Sequence, residues 1–432
     1  MCDLIIIGAG WAGFNAAVRA KKLGLKACLI ERSEIGGACL NRGCIPTKAL
    51  IQVARIYGLT RKSADFGVDV TGSRLNLAGI QQRKDDLIRQ LRRGMEFMLK
   101  GIDVIRAEAK FVSPVELSAG GRRLKAGAVI IAAGSLPSEL EGIKFDGKRV
   151  VSSDQLLNFN EIPRTLLVIG GGAIGCEFAS LFSSLGAQVT ISEKMPQLLP
   201  GMDKDISGKL ESVFKKRGIK VNTGSDCAAS NLKDYDLVLL SVGRHVDIQN
   251  MEPEKAGIKI ENGRSIVDDY LRTSVSHIYA AGDCTQRFML AHFAAYQGRI
   301  AAENIAAGPS NLKKADNHCV PNCIFTGPEI AGVGLSQEEA LAQSIEVNVH
   351  KFDFLGSGMA HILGEADGFI KIISHAETKQ VLGASIIGPR ASEVIGILTL
   401  AVTSRLNLGQ LRDAIFAHPT ISEAVGEALG QQ

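Results

Sequence analysis

No stretch of the 432-residue chain stays apolar long enough to cross a bilayer, so no membrane partner is expected. The opening "MCDLIIIGAG" carries Asp3 and no basic segment, so it does not read as a signal or transit peptide. Charge of one sign is scarce too. The net value is +4, and no basic stripe interleaves with aromatics, so nucleic acid is not an expected partner. The densest positive run, "RKDDLIRQLRRGMEFMLK", also holds Asp85, Asp86 and Glu96 and reads as a solvated amphipathic helix. The cysteines number nine, odd and scattered, which argues against a secreted disulfide framework. A reducing compartment, the cytoplasm, is expected, where any disulfide would be catalytic. There is no low-complexity segment and no long linker. What remains is a globular balance, 46% hydrophobic and 22% charged, over a length that implies two to four domains.

One pattern occurs twice. "DLIIIGAGWAGFNAAVRAKKLGLKACLIER" and "TLLVIGGGAIGCEFASLFSSLGAQVTISEK" each read as strand, glycine turn, helix, strand. The first has Gly8, Gly10 and Gly13; the second has Gly170, Gly172 and Gly175. Each is followed by an acid, Glu31 or Glu193, 23 residues after the first glycine. The glycines allow a tight turn, close approach to a pyrophosphate, and close helix–strand packing. The helix N-terminus offers unpaired N–H groups to phosphate, and the acid can accept from ribose hydroxyls. Two dinucleotides are therefore expected. "AGAVIIAAGSLPSEL" and "TSVSHIYAAGDCT" read as further strands running into glycine turns. From about Asn311 the texture changes to strands followed by a helix, "ASEVIGILTLAVTSRL", which suggests an α+β domain.

"GGACLNRGCIPTKAL" sets Cys39 and Cys44 with four residues between them. Zinc would want a second ligand pair with short spacing, and none stands out. The nearest candidate is His318, Cys319 and Cys323, where buried inert cysteines are the simpler reading. A redox pair needs one thiolate stabilised by positive potential. Pro46 suits a first helical turn, which puts Cys44 at a helix N-terminus with Lys48 one turn on. A flavin held by the first nucleotide fold would be the natural relay between a dithiol and a nicotinamide. His418, in "AHPTISEAVGEAL", can act as a base oriented by Glu423. Trp11 is expected to pack over the first glycine turn, Cys176 and Cys284 to lie in the core, and His292 to start a helix.

With these residues in view, the chain resembles the class I pyridine nucleotide-disulfide oxidoreductases over nearly its whole length, in the branch that oxidises dihydrolipoyl groups. "GGACLNRGCIPTKAL" and "HPTISE" carry the likeness; "AAGS", "GGGAIGCE", "SVGR" and "AAGD" support it. The resemblance implies an α/β fold with two Rossmann-like dinucleotide-binding domains and a C-terminal α+β dimerisation domain. The boundaries expected are 1–144, with 271–312 returning to it, for FAD; 145–270 for NAD; and 313–432 for the interface domain. Cys39 would meet the lipoyl group and Cys44 would lie against the flavin. Lys48 and Glu177 would pair where the nicotinamide arrives. Gly8, Gly10, Gly13, Glu31, Gly134 and Asp283 would hold FAD, and Gly170, Gly172, Gly175, Glu193 and Gly243 would hold NAD. His418 with Glu423 would come from the other subunit of a homodimer. A lipoyl-bearing acyltransferase or carrier protein would be the partner.

Two neighbouring activities share the disulfide motif. NADP-dependent glutathione-type reductases favour basic residues where Glu193 stands, although Lys194 follows it. Mercuric reductases end in vicinal cysteines, and this chain ends "EALGQQ". A flavoprotein scaffold without turnover would need none of Cys39, Cys44, Lys48, Glu177, His418 and Glu423. The stretch Val221 to Arg244 is shorter than the family's usual form, and "HVDI" follows "SVGR" where the family usually has proline and asparagine.

Overall fold

Runs such as Leu4 to Ile7 and Leu166 to Ile169 are buried along their whole length, as strands covered on both faces must be. The computed structural model describes residues 2–225, 231–246, 248–285 and 288–430. Its strands build three large sheets, and one apolar cluster runs from Leu166 and Ile191 of the second onto Ile330, Phe369 and Ile387 of the third.

The first repeat forms strand Cys2–Ile7, helix Trp11–Lys22 and strand Ala27–Glu31. The two strands are parallel, and Cys2–Ile7 also pairs in parallel with Arg122–Ile131. Ile278–Ala280 joins the same sheet by pairing with Arg122–Ile131. The chain thus leaves this sheet and returns to it. The second repeat forms strand Thr165–Ile169, helix Ala173–Leu185 and strand Gln188–Ser192. These strands lie in a parallel sheet with Lys220–Asn222, Leu237–Leu240 and Val150–Val151. In the shortened stretch, residues 226–230 lie outside the described residues, as does Asp247 of "HVDI".

The third sheet is antiparallel and runs Asn322–Ile324, Glu329–Gly334, Val381–Gly388, Phe369–His375, Val347–Asp353. Helix Ala391–Thr403 packs on it through Val394, Ile395 and Leu398. The positive run from Arg83 is helical as far as Met98, in helix Leu77–Met98, and Ala291–Ala307 is the helix that His292 was expected to start. Among the described residues no helix is long and apolar enough to cross a membrane.

One buried ion cluster ties the second fold to the third sheet. Lys371, from strand Phe369–His375, reaches Asp203 and Asp205 at 2.9 Å each, and the Lys371 and Asp203 side chains are 2% and 1% exposed. Burial disfavours the Lys371 ammonium, but the two aspartates outweigh it and raise its pKa. Removing the lysine alone would leave Asp203 buried and uncompensated. Lys371→Met is expected to destabilise the chain by about 3–5 kcal/mol, read from the midpoint of urea unfolding, and Lys371→Met with Asp203→Leu by much less.

Candidate active site

The two cysteines are presented by a turn that depends on glycine. Gly36 and Gly37 take left-handed φ values of +99° and +57°. A Cβ on Gly37 would stand 2.7 Å from Gly10 Cα, and the Gly36 N–H donates to the Ala9 carbonyl at 2.8 Å. The redox loop is therefore docked on the first nucleotide turn. A short helix, Gly37–Arg42, carries Cys39, and the next helix, Cys44–Lys62, begins at Cys44 as Pro46 led us to expect. The loop is pinned from the side. Asn41 Nδ2 donates to the Ile35 and Gly37 carbonyls at 3.0 and 2.9 Å, and Arg92 of the Leu77–Met98 helix donates to Asn41 Oδ1 at 2.6 Å.

The two sulfurs are thiols in contact, and they are not equivalent. Cys39 donates its hydrogen to Cys44. That hydrogen bond, aided by the Lys48 charge and opposed by burial and Glu177, lowers Cys44 to about 7. The same contact, with burial, pushes Cys39 up. Elsewhere, burial pushes Cys28 and Cys284 up to about 12 and Cys323 up to about 11. Cys176 is fully buried, its thiol donating to the Gly171 carbonyl. Cys319 and Cys323 are half-buried against the C-terminal core rather than fully buried. Among the described residues no group of three or more His, Cys, Asp or Glu could hold a metal ion.

Lys48 lies on the redox helix, and its Nζ contacts both oxygens of Glu177 at 2.8 Å. Glu177 comes from the helix of the second nucleotide repeat. The third unit closes the cluster. The Phe325 N–H donates to Glu177 Oε1 at 2.9 Å, and Lys48 Nζ sits 4.7 Å from the centre of the Phe325 ring, within cation–π range.

Both glycine turns fit a dinucleotide. Helices Trp11–Lys22 and Ala173–Leu185 begin after Gly10 and Gly172 with no side-chain cap and no acid in the first turn, so their leading N–H groups are free for phosphate oxygens. A Cβ on Gly13 would lie 1.8 Å from the Gly8 carbonyl oxygen, and on Gly175 1.9 Å from that of Gly170. The two acids repeat one geometry. Glu31 accepts from the Ala9 and Ser33 N–H groups at 2.6 and 2.7 Å. Glu193 accepts from those of Gly171 and Met195 at 2.6 and 2.7 Å. Asp283 accepts from Ser135 Oγ at 2.6 Å, beside Gly134, and Ser135 Oγ in turn accepts from Arg244 Nε at 2.8 Å, beside Gly243.

His418 stands apart. Its Nδ1 is 2.7 Å from Glu423 Oε1, and its side chain is 82% exposed. Glu423 is lowered by the Thr420 N–H and then by His418. Among the described residues, neither bonds to the cysteine cluster within one chain. Reading the sequence missed Phe325, Arg92, Ser135 and Arg244. Ser135 and Arg244 stand inside the quoted "AAGS" and "SVGR" motifs and Arg92 inside the positive run, but none was given a role there.

Residues 2–298 match the family model described as pyridine nucleotide-disulphide oxidoreductase, and 320–429 match the dimerisation domain of that family. A dihydrolipoyl dehydrogenase of Chlamydia trachomatis is 41% identical, covering 99% of this chain and 96% of the other. One from Bacillus subtilis is 37% identical, covering 99% and 97%. Among solved structures, LpdA from Mycobacterium tuberculosis superposes with a TM-score of 0.91 at 27% identity, covering 99% of each chain. The HOCl-induced flavoprotein disulfide reductase RclA of Escherichia coli gives 0.88 at 28%, also covering 99% of each.

A trypsin site at Arg42 separates the two thiols, so each can be scored by peptide mass after pulse alkylation of the reduced protein. Labelling of Cys44 is expected to rise with pH through a midpoint of about 7, because the thiolate forms above its lowered pKa. Lys48→Met should move that midpoint up by about one unit.

Proposed function

The chain belongs to the pyridine nucleotide-disulphide oxidoreductases, and from that premise we propose that it is a dihydrolipoyl dehydrogenase, oxidising protein-bound dihydrolipoyl groups with FAD and NAD. The observation that carries this reading is the asymmetric thiol pair, docked on one nucleotide turn and facing a Lys48–Glu177 pair supplied in part by the other fold. The full-length likeness to dihydrolipoyl dehydrogenases supports the choice of substrate.

In this reading residues 1–144 and 271–312 form the FAD unit, 145–270 the NAD unit and 313–432 the interface unit. The pairing of Ile278–Ala280 with Arg122–Ile131 supports the return of the chain to the first unit. Gly8, Gly10, Gly13, Glu31, Gly134 and Asp283 hold FAD. Gly170, Gly172, Gly175, Glu193 and Gly243 hold NAD. The Glu193 carboxylate disfavours a 2′-phosphate, so NAD is preferred to NADP. When bound, FAD supplies the two-electron relay between dithiol and nicotinamide, and NAD accepts the hydride.

The thiol chemistry belongs to the chain. In the oxidised state, His418 of the second subunit of a homodimer, oriented by Glu423, takes the proton from a dihydrolipoyl thiol. The resulting thiolate attacks Cys39; the Cys39–Cys44 bond breaks, and Cys44 leaves as the thiolate that Lys48 stabilises. The second lipoyl thiol, deprotonated in turn, attacks the mixed disulfide. Lipoyl leaves with its ring S–S bond closed, and Cys39 is protonated. The pair now holds two electrons and takes the thiol–thiolate form that the raised Cys39 and lowered Cys44 favour. The substrate would arrive on a lipoyl-bearing acyltransferase or carrier, in a reducing, cytoplasmic setting.

The test is a side-by-side assay of NADH or NADPH oxidation with lipoamide, glutathione disulfide and mercuric ion. Lipoamide with NADH is expected to win by a wide margin; NADPH with glutathione disulfide winning would overturn both the substrate and the nucleotide. His418→Gln should lower kcat by about 10²–10⁴-fold, the usual worth of a general base.

A further inference from the structure

Asn41 stands between the two cysteines, on the short helix Gly37–Arg42 that carries Cys39, and no step above uses it. Its amide is engaged at both ends. Nδ2 donates to the Ile35 and Gly37 carbonyls at 3.0 and 2.9 Å. Oδ1 accepts twice from Arg92, from Nε at 3.1 Å and from Nη2 at 2.6 Å. A guanidinium can only donate, whereas an amide has one accepting end and one donating end. The Arg92 fork therefore admits one orientation of Asn41, with its NH2 turned onto the loop carbonyls. The reverse would set N–H against N–H and oxygen against oxygen.

Arg92 closes a ring with the same loop. Its Nη2 also meets Glu34 Oε1 at 2.9 Å, and the Glu34 carbonyl accepts from the Gly37 N–H at 3.2 Å. The outer anchor is helix Leu77–Met98, held through buried Ile88 and Met95. That helix is fastened further back, where Gln81 Nε2 donates to the Phe159 carbonyl at 2.9 Å and Lys84 Nζ to Asn158 Oδ1 at 2.6 Å. The short helix needs such support. Its six residues have no side-chain cap and begin at glycines of left-handed φ, and so short a helix does not hold by itself.

We propose that Arg92 is a positioning residue for Cys39: acting through Asn41, it holds the Cys39 helix in the placement from which the sulfur closes on Cys44, and so sets the dithiol–disulfide balance of the pair. The inference rests on the thiol chemistry proposed above. In the disulfide state the S–S bond itself restrains the loop. In the dithiol state only the loop's own contacts do. Loss of the brace therefore frees the dithiol more than the disulfide, and ring closure becomes less favourable. Against dithiothreitol the exchange balances: two protein thiols become one S–S bond while the ring disulfide of the oxidised reagent opens to two thiols.

The test equilibrates the flavin-loaded protein with graded mixtures of reduced and oxidised dithiothreitol, quenches by alkylation, and scores the two thiols on peptides separated at Arg42. Arg92→Leu is expected to reach half reduction at about one tenth of the wild-type ratio of reduced to oxidised reagent, the worth of one hydrogen bond to a charged group, which is a potential about 30 mV higher. Asn41→Ala should shift the ratio by a similar factor. Adding Arg92→Leu to Asn41→Ala should then shift it little further, because the arginine acts through the amide. Arg92→Lys keeps the charge and one donor but not the fork; it should shift the ratio about threefold, and it is read alone if the leucine variant does not fold. A wild-type ratio in either Arg92 variant overturns the proposal. So does a full tenfold shift from Arg92→Leu in the Asn41→Ala background, which would assign the arginine a direct effect of charge on the thiols. No lipoyl substrate or nicotinamide enters these measurements, so failure here leaves the lipoyl assay as an independent result.

Discussion

The carboxylate of Glu177 is the point on which the site depends. It is buried, and a buried carboxylate must be paired and hydrogen-bonded to stay charged. Its partners come from far along the chain: Lys48 from the redox helix and the Phe325 N–H from the C-terminal domain. Three units meet at one anion, and one apolar cluster runs through all of them, from Leu50 and Ile51 through Phe178 to Ile324 and Ile330. The arrangement fixes Lys48, and through Lys48 the potential felt by Cys44. Displacing any one unit would leave a charge or an amide unsatisfied, so the geometry of the thiol pair is tied to the mutual placement of all three.

Function follows from an electrostatic difference across one turn. Cys39 and Cys44 share a loop, yet one is lowered to about 7 and the other is raised. The other titrating thiols, such as Cys28, Cys284 and Cys323, sit in apolar surroundings that hold them protonated. Thiolate character is concentrated at Cys44 by a helix start, a lysine and a neighbouring S–H.

Much of this was legible in the sequence because it is local. The two strand–turn–helix–strand repeats follow from apolar runs and glycine spacing, and the helix start at Cys44 follows from Pro46. The acids at Glu31 and Glu193 follow from their offset. What could not be read is what closes over distance. The Phe325 amide reaches Glu177 across 148 positions, and a backbone N–H leaves no mark in residue type. The short helix under Cys39 was missed because its six residues, framed by glycines, carry no periodicity. Trp11 was read only as packing, since an orphan N–H shows itself only in three dimensions. His418 and Glu423 form a pair in the single chain, apart from the cysteines, and only their motif in the sequence brought them into the candidate site.

The twin clamps at Glu31 and Glu193 bear on how nucleotides enter. Each acid spends one lone pair per oxygen on backbone amides of its own turn and of the residues after it, in matching geometry. The turn and the acid proposed to meet a ribose are thus shaped in advance, and a carboxylate oxygen keeps a second lone pair for a hydroxyl. Little ordering is left to be done on arrival, so more of the contact energy can appear as affinity. One loop design, used twice in a single chain, would then give two ports whose hydrogen bonds are made before either guest is seated.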